Sequence, residues 1–357
     1  MNVHIIQPAL PRYRVSLFDK LSDSFLLKVY ASKVDFLGVN SISGSKYFVE
    51  IGNFKKIFGG IFFWQKGVPF LCYKKGDVVV INGNPRIINY MILFLICRIR
   101  KIETVWWGHG WTAGTRGLSC QIRFFLMKIA NKVLLYTDYE REKLKKKHNN
   151  IYSLNNGLDS KEIRSCFPKG YINDANSKGE RLNALFIGRL TAKSDIKFVL
   201  RAMHEVSDCI SLHIIGDGPC YNEVETYLNA NGLNGVVKLY GNVTSESEIA
   251  SIATKCDFFV YSGSVGLSLI HAFNYGLPAI VHDDRQLHMP EFSALVEGYN
   301  GWTFPKGNLG ELISKMKAYN ELSIEERILF KKNSLDTISI SYNSDDMYKR
   351  FSNVISG

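Results

Sequence analysis

The sequence predicts an α/β protein with two doubly wound domains. Apolar runs of four to seven residues alternate with helical stretches: VHII, LLKVYA, DVVVIN, ETVWWG and KVLLYT in the first half, then NALFIG, SLHIIG, VVKLYG, CDFFVYS and PAIVHD. This alternation is typical of parallel sheets covered by helices on both faces. The length of 357 residues exceeds the size at which one core usually keeps growing. Ligands of such sheets bind outside the carboxyl ends of the strands, so we expect two Rossmann-like domains that face a cleft.

Composition changes predict the domain boundaries. The polar segment from Ser160 to Arg181 is rich in Lys, Asn, Asp and Gly, which is typical of a linker. Ser323 and Glu326 form a capping box that predicts the start of a helix. We therefore predict a first domain at 1–160, a linker at 161–182, a second domain at 183–320, and a C-terminal helical segment at 321–357 that crosses back to the first domain.

Positive charge is concentrated in the first half of the chain. Residues 1–150 contain 24 Lys and Arg against 9 Asp and Glu, whereas the whole chain has a net charge of +11. This asymmetry points to a polyanionic partner of the first half, either anionic lipid or nucleic acid. For a single cluster such as KLKKKH, a solvated basic surface is the simpler interpretation.

The cysteines and the N-terminus predict a cytoplasmic protein. The seven cysteines are scattered and form no C-x-x-C pair, which fits reduced thiols. The chain begins with the strand-like NVHII, and no signal peptide is visible. The longest apolar run, from Ile87 to Cys97, is too short to span a bilayer and predicts a buried helix.

The stretch from Ser262 to Val281 predicts an anion site. Small residues follow the apolar run CDFFVY and lead into a helix, so backbone N–H groups near Ser264 to Gly266 would point at open space where the helix dipole is positive. We expect this site to bind a phosphate. The alternative is a tightly packed turn that requires glycine at positions such as Gly263 and Gly266.

Other chemistry-bearing residues also follow predicted strands. Arg189 in FIGRL could hold a diphosphate through its forked guanidinium, and His109 lies between two glycines in WGHG. IIGDGP lacks the spacing of a dinucleotide fingerprint. The sequence contains no P-loop, no H-E-x-x-H and no G-x-S-x-G, so kinase, zinc protease and hydrolase functions lose support. We interpret HDD at 282–284 as a loop and not as a metal motif.

An ordered set of motifs covers almost the whole chain: YRVSLFDKL, WWGHGW, NNGLD, FIGRL, IIGDGP, YGNV and VGLSLIHAFNYGLPAIV. This set resembles the retaining glycosyltransferases of GT-B fold known as family 4, especially members from bacterial surface polysaccharide clusters. The resemblance implies an acceptor-binding first domain and a second domain that binds a nucleotide sugar. No metal or cofactor is expected, because a cation and a helix start can neutralise a diphosphate.

The resemblance also implies residue roles. Arg189 matches the Arg that grips the donor diphosphate, and His109 matches a His near the sugar C6 hydroxyl and the reaction centre. The family Lys falls at Ser194, one residue after Lys193.

The chain departs from the family at a pair of glutamates separated by seven residues, which contact the sugar and the ribose. Gly263 and His271 occupy these positions. His271 can still form a hydrogen bond with a ribose hydroxyl, whereas Gly263 offers only backbone.

The complete set of predicted site residues follows from these motifs. Predicted catalytic residues are His109 and Arg189. Predicted donor-binding residues are Arg189, Lys193, Gly216, Gly218, Asn242, Gly263, Ser264, Val265, Gly266, Leu267, Ser268 and His271. Predicted acceptor or loop residues are Tyr13, Arg14, Arg116 and Glu291, the last being equally compatible with a surface position.

We therefore expect a glycosyltransferase that moves a sugar from a nucleotide-diphosphate sugar to a polyprenyl-diphosphate-linked oligosaccharide, with retention, in O-antigen or capsule biosynthesis. A sugar nucleotide 2-epimerase of the same fold is one alternative, and a non-catalytic polyanion-binding protein is another. The basic residues are mixed with apolar runs and form no helix-turn-helix or RGG pattern, so no nucleic acid is expected.

Residues 54–75, FKKIFGGIFFWQKGVPFLCYKK, predict attachment to the inner face of the cytoplasmic membrane. The segment contains seven aromatic residues and five Lys but no acid. Such a composition is typical of an interfacial segment whose rings enter the headgroup layer. The alternative is core packing of an amphipathic helix.

Overall fold

The chain folds into two compact units. A computed structural model describes residues 1–111, 118–146, 148–171 and 181–357. The first unit comprises Met1–Asn156 and Ser344–Gly357, and the second comprises Gly157–Asn343. The boundary falls shortly before the predicted linker at 161–182, whose first residues already belong to a helix of the second unit, and residues 172–180 lie outside the described residues.

The first unit contains a seven-stranded parallel sheet in the order β3-β2-β1-β6-β7-β8-β9. Its strands are β1 (Asn2–Ile6), β2 (Leu26–Ala31), β3 (Phe48–Glu50), β6 (Val78–Asn82), β7 (Glu103–Trp107), β8 (Lys132–Leu135) and β9 (Ile151–Ser153). Its helices are α1 (Val15–Ser24), α2 (Ile88–Ile99), α3 (Leu118–Met127), α4 (Asp138–Leu144) and α12 (Ser344–Ser356).

Apolar packing covers both faces of this sheet. In β6, Val78 and Val80 belong to a cluster with residues of α1 and α12, whereas Val79 and Ile81 belong to a second cluster with residues of α2. Successive strand residues point to opposite faces, so a continuous VVVI run fits a strand buried on both sides.

Helix α2 accounts for the long apolar run. Its residues Leu93, Phe94 and Cys97 are fully buried, so the prediction of a buried helix is confirmed. None of the described helices combines the length and the apolar character needed to cross a membrane.

Residues 54–65 form an antiparallel hairpin instead of a helix. Strand β4 (Phe54–Ile57) pairs with β5 (Phe62–Gln65), with Lys55 opposite Trp64. Phe58 and Gly59 adopt positive φ angles of 47° and 65° at the tip, which shortens the turn to a few residues.

The second unit contains a six-stranded parallel sheet in the order β12-β11-β10-β13-β14-β15. Its strands are β10 (Leu182–Ile187), β11 (Ile210–Ile215), β12 (Val237–Gly241), β13 (Phe258–Tyr261), β14 (Ala279–His282) and β15 (Gly301–Phe304). Its helices are α5 (Ser160–Ser165), α6 (Ile196–Val206), α7 (Tyr221–Ala230), α8 (Glu246–Ala253), α9 (Leu267–Asn274), α10 (Leu309–Glu321) and α11 (Ile324–Ile340).

Each sheet has a point where the strand order reverses direction. In the first unit the chain moves outward on opposite sides of the β1–β6 pair, and in the second on opposite sides of the β10–β13 pair. Crossover connections diverge there and leave a crevice at the carboxyl ends of the strands. These two reversals mark where each unit can bind a ligand.

The predicted C-terminal segment at 321–357 is divided between the units. Helix α11 begins at the predicted capping box of Ser323 and Glu326 and belongs to the second unit. Helix α12 belongs to the first, where Phe351 packs edge-on against Trp107 and Arg350 Nη1 lies 3.0 Å from Asp138 Oδ1.

Candidate functional site

The strongest candidate site lies at the order reversal of the second sheet, where β10 and β13 end. Arg189 follows β10 by two residues, is exposed, and forms no hydrogen bond or ion pair with any described residue. Helix α9 begins six residues after the end of β13. A Cβ placed on Gly188 would lie only 3.1 Å from Ser268 Oγ, so the backbone beside Arg189 contacts the first turn of α9.

Glycines let the loops at this edge approach one another closely. A Cβ on Gly216 would lie 1.9 Å from the Gly188 carbonyl oxygen, and one on Gly218 would lie 2.4 Å from that of Leu190. At Gly263 the corresponding contact is 2.1 Å, to the Lys193 carbonyl oxygen. These contacts leave no room for any side chain, so Gly263 cannot be replaced by the family's Glu without moving the Lys193 loop.

The N-terminus of α9 keeps only some of the predicted N–H groups open. Ser264 donates its N–H to the Lys193 carbonyl oxygen at 2.8 Å, and Val265 donates to His288 Nδ1 at 3.1 Å. These two groups are therefore not available to an anion. The first turn of α9, with Leu267 and Ser268, has no side-chain cap and no acidic residue, so its N–H groups supply the positive end of the helix.

A carboxylate supports His271 on the same helix. His271 Nε2 lies 2.8 Å from Oε1 of Glu246, in the first turn of α8, and the Tyr275 hydroxyl donates to the same oxygen. The position of the family's second Glu thus holds an imidazole paired with a Glu from another helix. The sequence offered no signal for this pairing, because 25 residues separate the two side chains.

Glu291 is buried and belongs to this site. It lies in a short 3-10 turn at Pro290–Ala294, and a Cβ on Gly266 would lie 3.6 Å from its Oε2. The surface alternative for Glu291 is therefore excluded. A carboxylate near the start of α9 can accept a hydrogen bond from a hydroxyl group of a ligand.

Sequence reasoning missed a pair of stacked histidines behind the α9 turn. His282 and His288 are buried with ring centroids 3.8 Å apart, and His288 Nε2 lies 2.8 Å from the His282 carbonyl oxygen. Burial, reinforced by the neighbouring His282 ring, lowers the pKa of His288 to about 3. His288 is therefore neutral near pH 7 and accepts the Val265 N–H, which fixes the turn before α9.

A lysine also lies near this turn. Lys306, just after β15, donates through Nζ to the Ser262 carbonyl oxygen at 3.3 Å and lies 3.9 Å from Asp195 Oδ2.

The predicted donor-binding residues Lys193 and Asn242 are exposed and have no side-chain partner among the described residues. Both residues lie in the loops where the sequence predicted them. Lys193 contacts the turn before α9 only through its carbonyl oxygen, which accepts the Ser264 N–H.

The first unit holds a second group of predicted residues at the carboxyl ends of its strands. His109 follows β7, is partly buried, and its ring lies 4.4 Å from the ring of Tyr136, which follows β8. Burial and the positive charges of Arg123 and Arg14 lower the pKa of His109 to about 3. The imidazole is therefore neutral at physiological pH.

Tyr13 and Arg14 belong to the same group. Arg14 is 6% exposed, and its guanidinium lies 4.2 Å from the Trp107 ring centroid and 5.6 Å from that of Tyr13. Tyr13 is exposed. The predicted loop residue Arg116 lies outside the described residues.

Residues 1–111, 118–146, 148–171 and 181–357 contain no cluster of three or more His, Cys, Asp or Glu side chains able to hold a metal ion.

Comparisons with known proteins agree with this geometry. Residues 181–320 match the family model described as Glycosyl transferases group 1, which covers the second sheet and the residues around α9. Among curated proteins, no match is found.

Solved structures match the whole fold at low identity. HepE from Anabaena, solved with UDP, has a TM-score of 0.70 and 12% identity, covering 100% of both chains. The lipopolysaccharide outer core galactosyltransferase WaaB has a TM-score of 0.67 and 13% identity, covering 99% of both. A TarM mutant from S. aureus, solved with fondaparinux, alpha-GlcNAc-glycerol and UDP, has a TM-score of 0.62 and 12% identity over 91% of this chain. This chain spans 66% of the TarM chain. The two parallel-sheet α/β units thus have the architecture of GT-B glycosyltransferases, and the prediction of fold class is confirmed.

Proposed function

We propose that this protein is a retaining glycosyltransferase that transfers a sugar from a nucleotide-diphosphate sugar to a polyprenyl-diphosphate-linked oligosaccharide. The observation that carries the proposal is the unpaired Arg189 beside the uncapped first turn of α9, within the region that matches glycosyl transferases group 1. HepE and TarM, which share the fold, were both solved with UDP.

The chemical step requires stabilisation of the leaving diphosphate. As the bond from the anomeric carbon to the diphosphate oxygen breaks, negative charge grows on that oxygen. We assign the stabilisation of this charge to the Arg189 guanidinium and to the oriented N–H groups of Leu267 and Ser268. No protein nucleophile is needed in this proposal.

Polar side chains near Arg189 and α9 are the proposed partners of the hydroxyl groups of the donor substrate. We assign a ribose hydroxyl to His271, whose Nε2 is held by Glu246, and a hydroxyl of the sugar to the buried Glu291 as hydrogen-bond acceptor. The neutral His109 of the first unit serves as a hydrogen-bond partner of the transferred sugar and carries no positive charge there.

The hairpin of β4 and β5 is our proposed membrane contact. Phe58 and Ile61 at its tip are 75% and 62% exposed, and Lys55 and Lys56 of the adjoining strand are exposed as well. Exposed apolar side chains flanked by cations fit a surface of anionic lipid. Only part of the predicted segment 54–75 takes this role, because Phe63 and Tyr73 are buried in the core of the first unit.

Liposome sedimentation tests the membrane contact. Phe58→Ser with Ile61→Ser should keep the melting temperature and stop co-sedimentation with anionic vesicles, because neither side chain supports the core. Ile340→Ser, which removes an equally exposed apolar side chain of the second unit, is the control and should still sediment. Unchanged sedimentation of the hairpin variant would remove the hairpin from the membrane contact.

A panel of nucleotide sugars tests the proposed activity. Release of nucleoside diphosphate that increases when a polyprenyl-diphosphate oligosaccharide is added supports glycosyl transfer. Conversion of the donor without transfer would instead support the 2-epimerase alternative. Salt-dependent binding to nucleic acid at physiological ionic strength, with no donor turnover, would support a polyanion-binding protein.

A further inference from the structure

Arg14 is a buried guanidinium without a carboxylate partner. It forms no ion pair with an acidic side chain among the described residues, although it is only 6% exposed. Its Nη1 donates to Gln7 Oε1 at 3.2 Å, and its Nη2 donates to the Tyr136 hydroxyl at 3.1 Å. Burying a charge with only neutral partners is costly, so an uncompensated guanidinium points to a missing anion.

Unused hydrogen-bond donors surround this charge. Three buried donors have no partner within the described part of the chain, namely Arg14 Nε, Gln7 Nε2 and Trp107 Nε1. Unpaired buried polar groups are rare, so three buried donors without partners favour an acceptor-rich ligand. A positive charge surrounded by unpaired N–H donors is typical of a site that binds an anion.

Two other features add positive potential at the same place. Arg14 is the N-cap residue of α1, whose first turn has no side-chain cap and no acidic residue. Arg123 Nη1 donates to the His109 carbonyl oxygen at 3.2 Å, which puts a second guanidinium beside the site. The nearby buried carboxylate of Glu140 accepts N–H groups of Gly110 and Tyr136, so it is engaged with the backbone.

The site lies where a substrate of the first unit is expected. Gln7 follows β1, at the reversal of strand order, and Trp107 ends β7, two strands away and two residues before His109. Ligands of doubly wound sheets bind at this edge.

We infer that Arg14 binds an anionic group of the acceptor substrate, a phosphoryl or carboxylate group, beside His109 in the first unit. This inference rests on the proposed glycosyl transfer, since it assigns the acceptor to this unit. The ligand would replace the missing counter-ion of Arg14 and accept hydrogen bonds from the unpaired donors.

Gln7→Glu offers a nearly isosteric test. The new carboxylate would stand at 3.2 Å from Arg14 Nη1 and neutralise it internally, and the amide nitrogen that is lost has no partner. Gln7→Met is the matched control, because it removes the same hydrogen bond but leaves the Arg14 charge unpaired.

Pyrophosphate and glucuronate, used as separate probes in calorimetry, identify the ligand chemistry. The probes are added to the full-length Arg189→Ala protein, so that the proposed donor site does not contribute. We expect one of them to bind. Gln7→Met should weaken binding modestly, because it removes the Gln7 Nε2 donor, and Gln7→Glu should bind at least about tenfold more weakly than Gln7→Met. Binding of pyrophosphate assigns a phosphoryl group, and binding of glucuronate assigns a carboxylate.

Two results would overturn the inference. One is the absence of binding by both probes, and the other is equal binding by the folded Gln7→Glu and Gln7→Met proteins. If Gln7→Glu fails to fold, Arg14→Met takes its place with the same expected loss. The donor proposal is judged separately, by whether UDP binding falls in Arg189→Ala.

Discussion

His109 illustrates how a residue's surroundings set its chemistry. Burial and the charges of Arg123 and Arg14 hold its pKa at about 3, so the ring is neutral over the whole range in which the protein would work. The site therefore places a neutral hydrogen-bonding ring, and not a cation, where the resemblance places the transferred sugar.

Replacing His109 with Ala should lower the turnover number while leaving the dissociation constant for the nucleoside diphosphate nearly unchanged, because the ring is predicted to face the sugar. The wild-type rate should show no inflection near pH 6.5, since a lowered pKa keeps His109 unprotonated down to about pH 4. Steady-state kinetics from pH 5 to 8 and calorimetry with UDP measure both. Equal losses of rate and affinity would make His109 only a support of its loop.

Gly263 shows why one residue differs from the pattern of the family that the sequence resembles. The backbone of Lys193 and Ser194 occupies the space where a side chain would stand. We therefore attribute the missing Glu to packing.

Gly263→Ala should destabilise the protein by about 1–3 kcal/mol, the usual cost of an extra group in a filled space. Its Cβ would lie 2.1 Å from the Lys193 carbonyl oxygen, whereas a Cβ on Gly235 meets nothing within 4 Å. Gly235→Ala is thus the control. Urea denaturation measures the free energy of unfolding of both variants. Equal values would show that the Lys193 loop can move to make room for a Cβ at little cost.

At the scale of elements, most residues of the candidate site follow the carboxyl ends of strands, which is why sequence motifs could predict them. Runs such as NALFI and DFFVY are followed by small residues or Arg, and the structure brings these strand ends together at the β10–β13 reversal. Contacts between distant segments had no such signal. The pairing of His271 with Glu246 and the burial of Glu291 depend on how α8 and a 3-10 turn pack against α9, which the local pattern does not encode.

Helix α12 is the element with the clearest structural role. It closes one face of the first sheet through buried apolar side chains, and Lys132 Nζ donates to its Val354 carbonyl oxygen at 2.8 Å.

Phe351→Ala should lower the free energy of unfolding of the first unit by about 3–5 kcal/mol, the range for truncating a buried aromatic ring. The ring is fully buried and lies 5.2 Å from that of Trp107. Asn353→Ala, on the exposed side of the same helix, should change little. Chemical denaturation followed by Trp fluorescence measures the difference, and a small effect of Phe351→Ala would show that α12 is peripheral.

At the scale of the whole molecule, the sequence predicted two doubly wound units because periodic apolar runs and length are properties of the entire chain. The sequence did not predict which side chains are buried where contacts between distant segments determine burial. The aromatic and basic composition of residues 54–75 predicted a surface segment. In the structure Phe63 and Tyr73 are buried, whereas the hairpin tip and the Lys residues of the segment are exposed. The central claim of the proposed glycosyltransferase function is the anion site of the second unit, at Arg189 and the start of α9.

Acceptor-dependent release of nucleoside diphosphate by wild-type and Arg189→Ala protein tests that claim most directly. The account predicts a loss of about 100-fold or more in turnover for Arg189→Ala, the scale of removing one charge-stabilising group. Lys193→Ala should cost less, and Arg181→Ala, an exposed Arg of the same unit, should match wild type. Near wild-type turnover by a folded Arg189→Ala protein would contradict the account.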